Sequence, residues 1–486
     1  MIRTAASVPL TPTQLRRVLI GLMLGLFLAA LDQTVVAVAL PDIASDLPGS
    51  QLLAWVVSAY LLAMTVSTPI FGKLGDLFGR RRLLAIAIGV FVLASLLCGL
   101  AQSMPQLVAA RALQGIGAGG LLAIIQALIG DLIAPAERGR YQAWFSGMFA
   151  LASLIGPTLG GLLSSQWSWR WVFWINLPLG ALAYILSQRR LAGLQENRRA
   201  ARIDYLGSVL LIIGLCSLLW LINRLGQQAL WLNVQNGLLL LLAVVALNLF
   251  IIQQRRSLDP LMPLALLRID AVRSGWLLLF FASFQAVGLA VLIPLQAYNS
   301  GGTGVSASQL MALALGTPLG AFLGGHLSAR LGRYKPMIVS GALLLPMALL
   351  VLSMLPSPHG PATLIVLLLC GAAIGLQFPT SLVAVQSAAP HHHLGVVTGV
   401  CGLFRGLGGM LGVSLVISLL WQLLPGISAD SMAETGMNLS AVDSHLLREA
   451  FATLLQVDAA IALLPLLIAL RLKDRSLSRD LTAAPE

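Results

Sequence analysis

Along the chain, apolar runs of about 20 residues, the length a helix needs to cross a bilayer, alternate with short polar breaks. The runs centre on 18–40, 52–72, 83–101, 105–130, 141–165, 171–188, 205–224, 234–254, 274–297, 308–329, 336–356, 362–388, 395–421 and 451–470. Helix is the spanning element this pattern permits, because no water is present in hydrocarbon to satisfy an open backbone. The pattern predicts an all-α polytopic membrane protein with fourteen transmembrane helices. Its sharpest break is Gly72-Lys-Leu-Gly-Asp-Leu-Phe-Gly-Arg-Arg-Arg82. That stretch is too short to fold alone and predicts a tight, charged elbow between spans 2 and 3.

Composition agrees, with 58% hydrophobic and 10% charged residues. The net charge of +12 invites a nucleic-acid partner, but its distribution excludes one. Arg80–Arg82, Arg138, Arg140, Arg189, Arg190, Arg198, Arg199, Arg202, Arg255, Arg256, Arg268, Arg330, Arg333 and Lys335 fall in alternate loops. The opposite side carries Arg170, Arg224 and Arg448, with Asp430, Glu434, Asp443 and Glu449 in its longest loop. This is the positive-inside asymmetry, and it places both termini in the cytoplasm. The first run is too long for a signal peptide and contains Asp32, so it reads as a retained helix. Cys98, Cys216, Cys370 and Cys401 all lie within spans, and no disulfide framework is expected. The chain has no G-x-x-x-x-G-K-[ST] loop and therefore no built-in ATP drive.

The chain also repeats. Gly325-His-Leu-Ser-Ala-Arg-Leu-Gly-Arg-Tyr-Lys335 matches the first elbow at Gly72/Gly325, Leu74/Leu327, Gly79/Gly332 and Arg80/Arg333. Both stretches follow the second helix of a six-helix set if spans 7 and 8 are an insertion. The predicted organisation is an N-terminal six-helix bundle (1–188), two inserted helices with linkers (189–272), and a C-terminal six-helix bundle and tail (273–486). Two parallel halves with a binding site between them at the midplane is a transporter architecture. The second elbow carries Ala329 where the first has Asp76, so a latch built on that acid is expected at the first elbow alone.

Ionisable groups at membrane depth are costly and mark function. Asp32 lies about 8 residues, ~12 Å, from the outer end of span 1, and Arg111 about 6 residues, ~9 Å, into span 4 from the same side. The matched depth predicts an interaction, direct or through Gln114. It would be either a static ion pair or a proton- or cation-coupling pair. Gly115, Gly117, Gly119 and Gly120 follow on span 4, and Gly147, Gly156, Pro157, Gly160 and Gly161 on span 5. Glycines four apart allow close helix approach, and Pro157 is expected to kink or loosen its helix. Packing alone and packing that must slide are both compatible with this spacing. Arg405 and Asp458 are spaced for a structural pair in the C-terminal half. Gln285, Gln296, Gln377 and Gln386 are candidate cavity groups, as are Trp55 and Tyr60, which also fit an interfacial anchor and a packing residue. His391-His-His393 reads as a weakly basic cap on span 13, and no metal site is expected.

Five stretches together carry a resemblance. Leu31-Asp-Gln-Thr-Val-Val-Ala-Val-Ala-Leu-Pro41 resembles the first-helix motif of the fourteen-helix drug–proton antiporters of the major facilitator superfamily. Gly72–Arg82 is similar to the loop motif between helices 2 and 3 of that superfamily, and Arg111–Gly119 to its helix-4 motif. Gly147–Gly161 resembles its antiporter helix-5 motif, and Trp169-Arg-Trp-Val-Phe-Trp-Ile-Asn-Leu-Pro178 the opening of its helix 6. The resemblance implies the major facilitator fold. It implies that Gly72, Asp76, Gly79 and Arg80 latch one conformation at the cytoplasmic face. It ties Asp32 to proton coupling or recognition of cationic drugs. Relatives that export dicationic drugs carry a further acid in span 10, which this chain lacks between Leu310 and Ala329.

The expected protein is a proton-coupled exporter of small amphipathic or cationic compounds, of multidrug-efflux type, working by alternating access in the cell (inner) membrane. It is expected to be no enzyme, to need no cofactor beyond the proton motive force, and to act as a monomer in the bilayer. The alternative is a dedicated exporter of one metabolite, siderophore, amino acid or lipid on the same fold.

Overall fold

A computed structural model describes residues 12–191, 204–227, 233–301, 303–355, 360–424, 444–474 and 476–477. Helix dominates them, and fourteen spans of membrane length and hydropathy occur among them, as the sequence predicts. The first five spans are α1 (Pro12–Asp46), α2 (Leu53–Phe78), α3 (Arg80–Leu100), α4 (Met104–Leu132) and α5 (Pro135–Gln166). Span 6 is made of two helices, α6 (Arg170–Trp174) and α7 (Asn176–Leu191). The inserted pair is α8 (Tyr205–Gln227) and α9 (Val234–Arg256). Then come α10 (Asp270–Gly301), α11 (Thr303–Leu331), α12 (Lys335–Met354), α13 (Pro361–Ala388) and α14 (Leu394–Leu423). Span 14 is again broken, into α15 (Ser444–Ile461) and α16 (Leu463–Arg471). The acids Asp430, Glu434 and Asp443 and the cations Arg198, Arg199 and Arg202 lie outside the described residues.

The elbow is tighter than the sequence implies. Both helices run on through the polar stretch, leaving Gly79 as the single residue between α2 and α3. Continuing the helix satisfies the backbone internally even where the side chains turn polar. Gly79 turns the chain at φ +96°, a conformation open to glycine, and its twin Gly332 sits at φ +65°. Helix α5 is likewise unbroken through Pro157, where a loosened helix is expected from sequence. Neighbouring helices in a bundle hold such prolines in place.

The contacts divide the chain into two units. The first comprises the described residues of Met1–Ile133, Gly147–Ile203 and Pro390–Gly402. Its core is aliphatic and aromatic, with Val35, Val36, Val56, Met104, Leu107, Ala152 and Phe173 buried together. The second comprises those of Ala134–Ser146, Asp204–Ala389 and Leu403–Glu486, around a core that includes Leu292, Leu349, Leu367, Ile374, Phe451 and Leu455. The first turns of α5 therefore belong to the second unit, and the first turns of α14 to the first.

The inserted helices are fastened to each other at one end and to α14 near the other. Asp204 caps α8 by accepting the Gly207 N–H at 2.9 Å, and it also accepts from Gln253 at 3.0 Å and Gln254 at 2.7 Å on α9. Gln254 in turn accepts the Met262 N–H at 2.9 Å. Near the opposite end, Ser414 of α14 donates to the Ile222 carbonyl at 2.8 Å. Asp204→Ala removes a helix cap and leaves buried amides unsatisfied, an expected loss of about 1–3 kcal/mol. Thermal unfolding in detergent checks it, and protease sensitivity should rise first at the α8 terminus.

Candidate functional site

Asp32 sits on α1 at 1% exposure, and Arg111 on α4 is equally buried. The predicted interaction is direct: Arg111 Nη1 reaches Asp32 Oδ2 at 2.6 Å. Gln114, three residues further along the same face of α4, completes the arrangement. Its Nε2 donates to Asp32 Oδ1 at 2.8 Å and to Ser95 Oγ at 2.7 Å, while its Oε1 accepts from Arg111 Nη1 at 2.6 Å. Asn176, the first residue of α7, donates to the same Oδ1 at 2.9 Å. Three helices, α3, α4 and α7, thus present donors to, or brace the donors of, one carboxylate on α1.

The cation is held from other directions. Arg111 Nε donates to the Val56 carbonyl of α2 at 3.1 Å, and its guanidinium lies 4.1 Å from the Tyr60 ring centroid. The Phe173 ring lies 5.8 Å away. Cation–π contact stabilises a desolvated guanidinium by about 2 kcal/mol. Tyr60, a candidate cavity residue from sequence, is buried and serves as the floor beneath Arg111. Trp55 is half-buried one turn away.

Small residues make this density possible. A side chain at Gly115 would strike the Tyr60 carbonyl, and one at Gly119 the Met64 carbonyl and Ser67 hydroxyl, all on α2. Gly117 and Gly120 do the same against Phe91 and Phe71. On α5, Gly156 abuts Thr34 and Gly160 abuts Val35, just past Asp32 on α1. Gly161 and Gly147 face open space, so close packing belongs to Gly156 and Gly160. Thr34 Oγ1 also donates to the Ala152 carbonyl at 3.0 Å, fastening α1 to α5.

A second constellation forms at the elbow. Asp76 accepts the backbone N–H groups of Gly395 at 3.0 Å and Val396 at 2.9 Å, in the first turn of α14. A carboxylate there meets unsatisfied donors and the positive end of the helix dipole. Arg80 pairs with Asp76 at 2.6 Å and with Asp131, at the end of α4, at 2.8 Å. Gly72 touches the Gly395 carbonyl, so any larger residue would push α14 away. His391–His393 form a 3₁₀ turn just before that helix.

The second elbow keeps the geometry without the acid. Gly325, the twin of Gly72, abuts the Gly139 carbonyl of α5, as Gly72 abuts that of Gly395. Beside it, buried Arg138 donates to the Gln386 carbonyl in the last turn of α13 at 3.0 Å. A cation at a helix C-terminus is the electrostatic counterpart of an anion at an N-terminus. The position that matches Asp76 is Ala329, as the sequence shows, and the charge beside this contact is Arg138 of α5, of opposite sign. In the sequence it reads as one more basic loop residue.

The remaining candidates have neighbours of their own. Gln285 is fully buried and donates to the Asp458 carbonyl at 3.2 Å. The Arg405 guanidinium lies 4.9 Å over the Phe378 ring. Gln377 is buried and donates to Ala373 of its own helix at 3.2 Å, while Gln296 is half-buried near the end of α10. At the far end of α1, Asp46 accepts from Arg170 at 2.7 Å and Trp169 at 2.9 Å, which seats α6.

Fourteen spans, glycine-lined helix contacts and a buried ion pair inside one bundle define a polytopic membrane transporter. Comparison with known proteins gives the family. The sequence profile described as Major Facilitator Superfamily matches residues 22–413. The chain is 34% identical over 402 residues to the multidrug transporter protein MdtP of Bacillus subtilis, covering 82% of this chain and 73% of that one. It is 34% identical over 408 residues to the multidrug resistance protein Stp of Mycobacterium tuberculosis, covering 83% and 75%. Among solved structures, the human organic anion transporter MFSD10 aligns with a TM-score of 0.66 at 17% identity, over 94% of this chain and 100% of that one. The proton:xylose symporter XylE aligns at 0.64 and 16%, over 94% and 95%. The chain belongs to the major facilitator superfamily, whose members are transporters rather than enzymes.

Proposed function

We propose that the chain is a proton-coupled antiporter that exports small amphipathic or cationic compounds by alternating access, as a monomer in the cell membrane. Residues 1–188 and 273–486 form the two moving halves, and 189–272 an insertion. The elbow face and both termini are cytoplasmic. The names of the relatives, multidrug transporter and multidrug resistance protein, support the cargo. The observation that carries the coupling is the carboxylate of Asp32, buried inside the bundle with Arg111, Gln114 and Asn176 as its donors.

A proton arriving from outside neutralises Asp32 and breaks its charge balance with Arg111, changing the local pair from neutral to singly positive. The hydrogen bonds that favour the charged carboxylate then lose strength, and the packing of α1 against α4 and α7 loosens. A cationic substrate and a proton compete for the same negative charge, which is the logic of exchange. The proton motive force supplies the energy, about 2.3 kcal/mol for each charge crossing 100 mV, and no cofactor is involved. Asp32→Asn should abolish export driven by a pH gradient in proteoliposomes while leaving the protein folded. Uphill export by that variant at the wild-type rate would refute the coupling.

A further inference from the structure

We propose that Asn176 is the hydrogen-bond switch of the buried Asp32 site. Its carboxamide donates to the charged carboxylate and turns over to accept from the protonated one. The inference rests on the reading of Asp32 as the group that exchanges the proton.

Asn176 is buried to 1% exposure, and its Nδ2 is doubly engaged, with Asp32 Oδ1 at 2.9 Å and Ser95 Oγ at 3.3 Å. Its Oδ1 is fully enclosed and has no hydrogen-bond partner among the described residues. The opposite amide orientation would set oxygen against carboxylate oxygen, so the network itself fixes this one while Asp32 is charged. An orphaned buried acceptor carries a cost of about 1–3 kcal/mol. It marks a group whose best partner is absent in this state.

That partner is a donor beside Asp32. Every group the site directs at the carboxylate is a donor: Arg111 Nη1, Gln114 Nε2 and Asn176 Nδ2. A protonated carboxyl adds an O–H and needs an acceptor. Gln114 Oε1 already accepts from Arg111 at 2.6 Å and from the Cys98 thiol at 3.6 Å. Asn176 Oδ1 is uncommitted. Half a turn about the last side-chain bond exchanges Nδ2 for Oδ1, so the oxygen accepts the Asp32 proton and can also accept from the Ser95 hydroxyl. The proton is the one exchanged in the proposed coupling; it ends on Asp32 Oδ1, and no other group changes charge. The titratable and charged groups packed around this point are Arg111 from α4, Cys98 from α3 and Tyr60 from α2.

The position of Asn176 in the fold gives the switch something to move. Span 6 is broken at Ile175, and Asn176 is the first residue of α7. Broken helices in transporters place freed backbone at ion sites near the midplane. The two amide orientations leave different atoms unpaired at that break. Proton occupancy therefore biases a local two-state element.

The test is infrared difference spectroscopy of the full chain in lipid, titrated with pH and with no transported compound present. The wild type should show a carbonyl band of a protonated carboxyl that Asp32→Asn removes. In Asn176→Leu that band should shift to the higher frequency of a carboxyl without an acceptor. Asn176→Ser, whose hydroxyl can both donate and accept, should hold it near the wild-type position. An Asp32 band at the wild-type frequency in Asn176→Leu would overturn the switch. If Asn176→Leu fails to fold, judged by monodispersity and helical content, Asn176→Ala carries the same comparison against Asn176→Ser. If no band disappears in Asp32→Asn at any pH, the proton site itself is misassigned and the switch falls with it.

Discussion

Arg111→Met should destabilise the folded protein by about 3–5 kcal/mol, the cost of leaving one member of a buried ion pair without its partner. The effect is asymmetric. Asp32 has two further donors, Gln114 and Asn176, but both are uncharged, and neither replaces the guanidinium at 2.6 Å. Combining Arg111→Met with Asp32→Asn should restore much of the lost stability, because no unbalanced charge then stays in the bundle. Thermal unfolding of the two single variants and the double variant in one detergent measures the coupling. A double variant no more stable than Arg111→Met alone would show that the pair contributes little.

The same site shows what the chain discloses before it is folded. Asp32 and Arg111 stand out because a charge inside an apolar run is rare, and helical rise converts sequence distance into matching depth. Gln114 follows from Arg111 through the three-residue spacing on one helix face. Ser95 and Asn176 do not stand out. Uncharged polar residues are common in spans, and helix packing alone decides which of them meet a carboxylate on another helix. Asn176 carries one weak signal, its place just before Pro178 in an otherwise apolar stretch, where a helix commonly begins. The glycines of α5 illustrate the same limit. Spacing predicts a flat face, but only the packing against Thr34 and Val35 selects Gly156 and Gly160 over Gly161. Asp131 and Arg138 look like ordinary residues near the ends of spans. Their partners, Arg80 and the Gln386 carbonyl, lie 51 and 248 residues away in sequence. Gln285 and Gln377 read as cavity groups because they are polar, and both are fully buried.

Asp76→Asn should shift the conformational balance of the carrier by roughly ten- to a hundredfold, away from the state in which α2 holds the first turn of α14. The carboxylate accepts two backbone N–H groups there, and hydrogen bonds to a charged group are worth about 1.5–3 kcal/mol each. Asparagine keeps one acceptor oxygen and loses the charge that the helix dipole favours. It also releases Arg80 to Asp131 alone. The net loss is smaller than two full bonds because water re-solvates the freed groups, which brings it near 1.4–2.8 kcal/mol, one to two decades in population. Arg138→Gln acts on the opposite helix end, at the Gln386 carbonyl, and should move the balance in the same direction by a smaller amount. Because Asp76 holds the first turn of α14 and Arg138 the last turn of α13, their effects should add within about 0.5 kcal/mol. Single cysteines along α2 and α14, labelled from each side of the membrane with a charged maleimide, read the balance directly. Unchanged labelling in Asp76→Asn would reduce the elbow to a turn. Strong non-additivity with Arg138→Gln would instead make the two contacts parts of one cooperative closure, in which neither helix end can be released without the other.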